Sequence, residues 1–309
     1  MDIAASRVNG SANGRANGHA ISHGVPLEVL APPRQGLPLV VASPHSGAHY
    51  PPEFIAASRL DPVALRRSED SFVDEIFAAA PALGAPLLRA LFPRAYVDPN
   101  REPYELDPQM FTDALPGYAN TRSPRVAAGL GTIARVVATG REIYRDKLRT
   151  AEALERIHAL YQPYHGQLRR LIGDTREAFG CCVLVDAHSM PSIGGPMDAD
   201  AGRARVDVIL GDVHGASCAS VVSDTAERSF RDLGYAVTRN NPYSGGFTTQ
   251  NYGRPRRGVH ALQIEVNRAL YMDEENLTRK DGAIERLKRD THAVLAALGA
   301  IDRRLLLAA

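Results

Sequence analysis

Two short apolar runs, residues 37–43 (LPLVVAS) and 181–185 (CCVLV), each lead within three residues to a histidine, His45 and His188. Apolar runs this short, bounded by Pro, Ser and Gly, read as strands buried on both faces, and such strands belong to sheets covered by helices. Further strands are predicted at 86–92, 206–210 and 259–266, with an edge strand at 236–238. Helical periodicity occupies 52–59, 61–80, 220–233 and 275–298, and also 141–179 with a break near Pro163. Asp61 is placed to cap the helix over 61–80, with Pro62 in its first turn. Strands alternating with helices, without an internal repeat, predict an α/β sheet flanked by helices, a class that sets its sites in loops at the carboxyl ends of strands. Residues 98–107 (DPNREPYELD) and 240–255 lack periodicity and are expected to be functional loops.

Charge and cysteine usage narrow the function. The 309 residues carry 36 Lys plus Arg against 35 Asp plus Glu, a formal charge of +1, so no global field draws the chain to nucleic acid or anionic lipid. Its longest apolar stretches fall far short of the roughly 20 residues of a membrane helix. Residues 1–24, rich in Gly, Asn, Ala and Ser, lack the pattern of a signal peptide and are expected to be a disordered tail, leaving 25–309 as one domain. Three cysteines, two of them adjacent, do not make a disulfide framework, which predicts a cytoplasmic protein.

Histidines held at the ends of neighbouring strands suit a shared metal ion, imidazole being the commonest transition-metal ligand. A catalytic zinc takes three protein ligands, and carboxylates for the third position lie in SEDSFVDE, residues 68–75. Asp70 and Asp74 are four apart and would share one helical face; Asp74, between apolar turns, is the preferred ligand, the alternative being a solvated acidic face. Glu265, near the end of a buried strand, needs a partner there. Beside a zinc-activated water it would serve as general base and then acid, unless it merely pairs with an arginine such as Arg268. Asn100 and Arg101 offer an amide and a planar fork for an anionic substrate, unless Arg101 pairs with Glu102 or Glu105.

Five segments in order resemble the N-formylglutamate amidohydrolase family: SPHSGAHYPPEF from Ser43, SEDSFVDEIF from Ser68, FPRAYVDPNREPYELDP from Phe92, DAHSMPS from Asp186, and GGFTTQNYGRPRRGVHALQIEVNRALYMDE from Gly245. The resemblance spans roughly residues 37–302. It implies a mixed central sheet flanked by helices, a phosphorylase/hydrolase-like fold akin to zinc carboxypeptidases and aspartoacylase. It also implies zinc-dependent cleavage of N-formyl-L-glutamate to formate and L-glutamate in bacterial histidine breakdown. His45 matches the first ligand of a His-x-x-Glu motif, His188 the later histidine ligand, Asn100 and Arg101 the grip on the substrate carboxylate, and Glu265 the base. Arg94 and Arg254 are added as further carboxylate contacts. Position 48 departs from the pattern, with Ala in place of Glu, so the acidic ligand is sought at Asp74 or Asp70. The rivals are a hydrolase of the same fold acting on another N-acyl amino acid or small peptide, and an inactive small-molecule binding module, which would be expected to lose His45, His188 or Glu265. A serine hydrolase is disfavoured because Ser46 and Ser189 lack a Gly-x-Ser-x-Gly elbow.

Overall fold

The two longest apolar runs do become the centre of the molecule. The computed structural model describes residues 25–196 and 198–307, so the predicted tail lies outside the described residues. Seven strands form one mixed sheet: β1 (Leu27–Leu30), β2 (Leu39–Ser43), β3 (Leu87–Ala90), β4 (Cys182–Met190), β5 (Val208–Gly211), β6 (Val237–Arg239) and β7 (Val259–Asn267). Their order is β1-β3-β2-β4-β7-β5-β6. The inner strands β3, β2, β4 and β7 run parallel, while β1 and the β5–β6 pair run against them. Every residue of β2, β4 and β7 is buried, which is why their sequences read as apolar runs rather than as alternation.

Helices cover both faces. On one, Val40, Ala42, Leu184 and Ala261 pack under α1 (Gln162–Phe179), with Tyr164 and Leu168 facing the sheet. On the other, Val41, Val183, Leu262 and Ile264 pack under α2 (Ser220–Asp232) and, after the short α3 (Phe247–Tyr252), under α4 (Asp281–Gly299). Gly180 ends α1 in the left-handed conformation, φ 82°, its amide bonded to Arg176 O at 2.8 Å. All three cysteines are free and buried, and among the described residues no helix is long and apolar enough to cross a membrane.

Several local expectations are corrected. The segment 61–80 starts as predicted, with Asp61 Oδ1 accepting from Ala64 N at 2.8 Å, but its helix covers only Pro62–Leu65 and a 3-10 turn follows at Arg66–Ser68. Glu69 is then extended and Phe72 left-handed at φ 68° before a further turn of helix at Val73–Ile76. Tertiary bonds outcompete the helix here: the amide of Asp70 donates to His45 O at 3.1 Å, and Glu69 accepts from Arg66 and Ser71, each at 2.9 Å. Pro163 does not separate two helices; a π-turn at Ile157–Tyr161 absorbs the missing amide and the chain continues helically from Thr150–Arg156 into α1. The stretch 240–255 contains α3, and α4 begins at Asp281 because a small hairpin, Met272–Asp273 with Thr278–Arg279, precedes it. Edge strand β1 was not anticipated.

Candidate active site

β4 runs through Asp186, His188 and Met190 instead of stopping at Val185, so these alternate residues share one sheet face. His188 is the register partner of Glu265 on β7. In a parallel pair, partners point to the same side, and the sheet therefore sets an imidazole and a carboxyl side by side. His45 lies two residues beyond β2, the neighbour of β4 on its other edge. The loop holding Asp70 is tied to the His45 carbonyl by the amide bond described above.

The imidazoles meet around Asp70. Its Oδ2 lies 3.0 Å from His188 Nδ1 and 3.3 Å from His45 Nδ1, and one donor atom from each of the three residues falls within 4.8 Å of the others. All three side chains are buried. Behind the rings stand two more carboxylates: Asp98 Oδ1 is 2.7 Å from His45 Nε2, and Asp186 Oδ1 is 3.1 Å from His188 Nε2. The Asp98 carboxylate behind His45 favours the proton on Nε2 and leaves Nδ1 to face inward, the usual support of a metal-binding histidine. His45 Nδ1 is moreover buried without a hydrogen-bond partner. An orphaned imidazole nitrogen, a second imidazole and a carboxylate oxygen converging on one point fit a divalent cation with three protein ligands.

Electrostatics agree with that geometry. Burial would raise Asp70, but the hydrogen bond from His188 and the nearness of His45 and Arg94 hold it well below the usual carboxylate range. Arg268 donates to its other oxygen at 3.0 Å. Burial likewise opposes ionisation of Asp98, and Arg101, Arg94 and His45 overcome it. His188 is raised well above 6.5, burial being outweighed by Asp186 and Asp70. Glu265 behaves differently: burial pushes it up to about 7, and the neighbouring Asp70 charge adds to the rise against the pull of His188, Arg94 and Arg268. Gln263 Nε2 donates to Glu265 Oε1 at 2.9 Å, while Gln263 Oε1 accepts from Gly246 N at 2.6 Å, joining the carboxyl group to the loop before α3.

A cavity of about 390 Å³ opens over these groups, lined among others by His45, His188, Glu265, Arg94, Arg101 and Arg125. Of the residues singled out from sequence, His45, His188, Glu265, Arg94, Arg101 and Asn100 all reach it. Asp74 does not join the histidines: its Oδ2 accepts from Arg89 at 2.6 Å, in an ion pair shared with Glu28 at the β1–β3 edge. The one long helix that would have aligned it with Asp70 does not form, and Asp70 stands in its place. Arg254 is also elsewhere. Its guanidinium donates to the carbonyls of Gln250 and Gly253, and its backbone pairs with Val259 at the amino end of β7, roughly 20 Å along the strand from Glu265. Asn100 spends its amide on the protein: Oδ1 accepts from Thr248 N at 2.8 Å, and Nδ2 lies 3.0 Å from His188 Nε2 and 3.4 Å from Asp186 Oδ2.

The family model for N-formylglutamate amidohydrolase matches residues 37–272, about three quarters of the chain. The chain belongs to the N-formylglutamate amidohydrolase family. Within this family it is 29% identical over 267 residues to an N-formylglutamate deformylase of Pseudomonas putida, covering 85% of this chain and 91% of that one. A protein of the same name from Pseudomonas aeruginosa is 30% identical over 251 residues, covering 80% and 87%. The crystal structure of N-formylglutamate amidohydrolase from Ralstonia eutropha superposes with a TM-score of 0.79 at 36% identity, covering 88% of this chain and 96% of that one. A gene product of Agrobacterium tumefaciens, 21% identical with a TM-score of 0.58 and coverage of 90% and 96%, shares the fold.

Sequence reasoning missed Asp98 and Asp186 as parts of this amidohydrolase site, and Arg268, weighed only as an ion-pair partner of Glu265, donates instead to Asp70. Asp186 carried a signal, because a residue two before His188 on a strand must share its face. Asp98, two before Asn100 in an irregular loop, carried none. Gly246 is demanded by close approach: a Cβ there would sit 2.4 Å from Asn100 Nδ2.

Proposed function

We propose that this protein hydrolyses the formamide bond of N-formyl-L-glutamate, giving formate and L-glutamate, with zinc held by His45, Asp70 and His188. The observation that carries the reading is the convergence of His45 Nδ1, Asp70 Oδ2 and His188 Nδ1 beside a carboxyl group raised to about 7, in an arginine-lined cavity. Family membership and the names of the Pseudomonas relatives support the substrate. Two imidazoles and one carboxylate are a common ligand set for catalytic zinc, which when bound would polarise the formyl carbonyl and lower the pKa of water to about 7.

The chain's own groups would do the rest. Glu265 takes a proton from the attacking water as the oxygen bonds to the formyl carbon. It then delivers that proton to the nitrogen as the carbon–nitrogen bond breaks, leaving formic acid and a free amine, between which the remaining acidic proton passes to give formate and the ammonium form of glutamate. A carboxyl group near 7 is suited to both halves of this transfer at neutral pH. Arg94 and Arg101, each with Asp98 behind it, present guanidinium edges to substrate carboxylate, and Asn100 positions His188. Residues 25–309 would act as one catalytic domain, in the cytoplasm, in histidine breakdown; the three unpaired cysteines are in keeping with a reducing compartment.

The test is formate release from N-formyl-L-glutamate and from N-acetyl-L-glutamate, with zinc content measured on the same protein. Turnover of the formyl substrate, its loss on chelation and one zinc per chain are expected. A metal-replete protein releasing no formate, or one that prefers the acetyl substrate, overturns the assignment.

A further inference from the structure

Four guanidiniums line the cavity, those of Arg94, Arg101, Arg125 and Arg268, and three of them have acidic partners within the protein. Arg94 meets Asp98 at 2.8 Å, Arg101 lies 3.7 Å from the same carboxylate, and Arg268 meets Asp70 at 3.0 Å. Asp198, also on the cavity lining, is taken by Arg205 at 2.7 Å. Arg125 is half-buried, and its side chain makes no hydrogen bond or ion pair among the described residues. Its position is nonetheless built. The turn of helix Pro124–Ala127 that carries it is capped by Ser123, whose Oγ accepts from Val126 N at 3.1 Å. Arg125 O accepts from Leu130 N at 2.8 Å, and Leu130 O accepts from Arg101 Nε at 2.9 Å, so one turn anchors the Arg125 backbone and the Arg101 guanidinium. Burial lowers Arg101 to about 10, and the positive charges of Arg94 and Arg125 add to the fall against the opposing charge of Asp98.

Two cations held together in a partly desolvated wall, one of them without a counter-ion, are an arrangement that an incoming carboxylate relieves. The charges balance on the same count. Arg94, Arg101, Arg125 and Arg268 offset Asp70, Asp98, Asp186 and Glu265, so a divalent cation leaves a surplus of two that a dianionic substrate cancels. We propose that Arg125, with Arg101, forms the subsite for the side-chain carboxylate of a dicarboxylic N-formyl amino acid and sets the preference for glutamate over its uncharged analogues. The identity of the reaction rests on the function proposed above; the subsite rests on the placement of the two arginines.

The experiment compares wild type, Arg125→Ala and Arg125→Lys on N-formyl-L-glutamate and on N-formyl-L-glutamine, which has the same shape without the second charge. In Arg125→Ala the glutamate-over-glutamine preference in kcat/KM should fall roughly 10–100-fold, mostly through KM, with partial recovery in Arg125→Lys. Equal losses on both substrates, or an unchanged preference, overturn the subsite. Calorimetric binding of glutarate and of butyrate supplies a readout independent of turnover. Glutarate affinity should drop at least about tenfold in Arg125→Ala, and butyrate affinity should change far less. Glutarate binding that depends on Arg125 in a protein that deformylates nothing keeps the subsite and removes the reaction; deformylation with glutarate binding indifferent to Arg125 does the reverse.

Discussion

Glu265 sits in an environment far from what a carboxylate prefers. Its folded pKa of about 7, against 4.5, means that the folded protein keeps a proton the unfolded chain releases. The sign follows: this burial costs nothing below the unfolded value, destabilises increasingly as pH rises from about 4.5 to about 7, and levels off above that. Glu265→Gln is therefore expected to abolish formate release while stabilising the metal-free protein at pH 8 by about 1–3 kcal/mol, with the gain vanishing near pH 4, as followed by denaturant melts at both pH values. A gain that grew towards acid pH would refute the assignment of burial as the cause. Asp70 and Asp74 separate by the same logic. Asp70→Asn should empty the site in a zinc assay, whereas Asp74→Asn breaks only a part-exposed pair with Arg89, keeps its zinc and costs at most about 1 kcal/mol. Zinc loss in Asp74→Asn alone would reverse that ordering. His45, His188 and Glu265 were legible as candidates because each is a polar residue at the end of an apolar run. The choice of Asp70 was not legible, because it turns on where a broken helix leaves a carboxylate.

At the scale of elements, the parallel pairing of β4 with β7 does the positioning. Its register sets His188 opposite Glu265, and nine paired residues on each strand make a slip costly. The loop before α3 borders the site at a close approach, the Gly246 backbone against the Asn100 side chain. Gly246→Ala must displace either the loop or the amide that steadies His188. We expect kcat/KM to fall about 10–100-fold, because misplacement by about 1 Å is costly in a positioned site. Thermal melting should move by only a few degrees, and wild-type kinetics in this variant would mean that the loop does not position the site. α3 itself was invisible in sequence: FTTQNY lacks aliphatic periodicity, and its first turn is anchored by a bond from Thr248 N to Asn100 in a distant loop. The predicted helices at 52–59 and 220–233 were legible for the opposite reason, each forming largely where its apolar pattern lies.

Across the whole molecule, the near-equality of acidic and basic residues conceals a concentrated field. Buried acids and arginines are gathered at the carboxyl ends of the parallel strands, where a cation and a dianion would complete the balance. Metal removal should thus be felt globally. Zinc at 100 times its dissociation constant is expected to stabilise the chain by about 2.7 kcal/mol, a rise in Tm of roughly 5 °C in calorimetry, and no shift would argue that the three ligands do not form one site. The class of fold, the buried central strands and the two histidines are readable along the chain, because apolar period and strand length are local properties written in consecutive residues. Packing of distant segments sets Asp70 and not Asp74 beside those histidines, leaves Arg254 at the far end of the sheet, and turns Asn100 to support His188. The first and last of these depend on contacts between segments 25 to 148 positions apart, such as Asp70 with His45 and Thr248 with Asn100, where tertiary bonding overrides the weak preferences of the local chain.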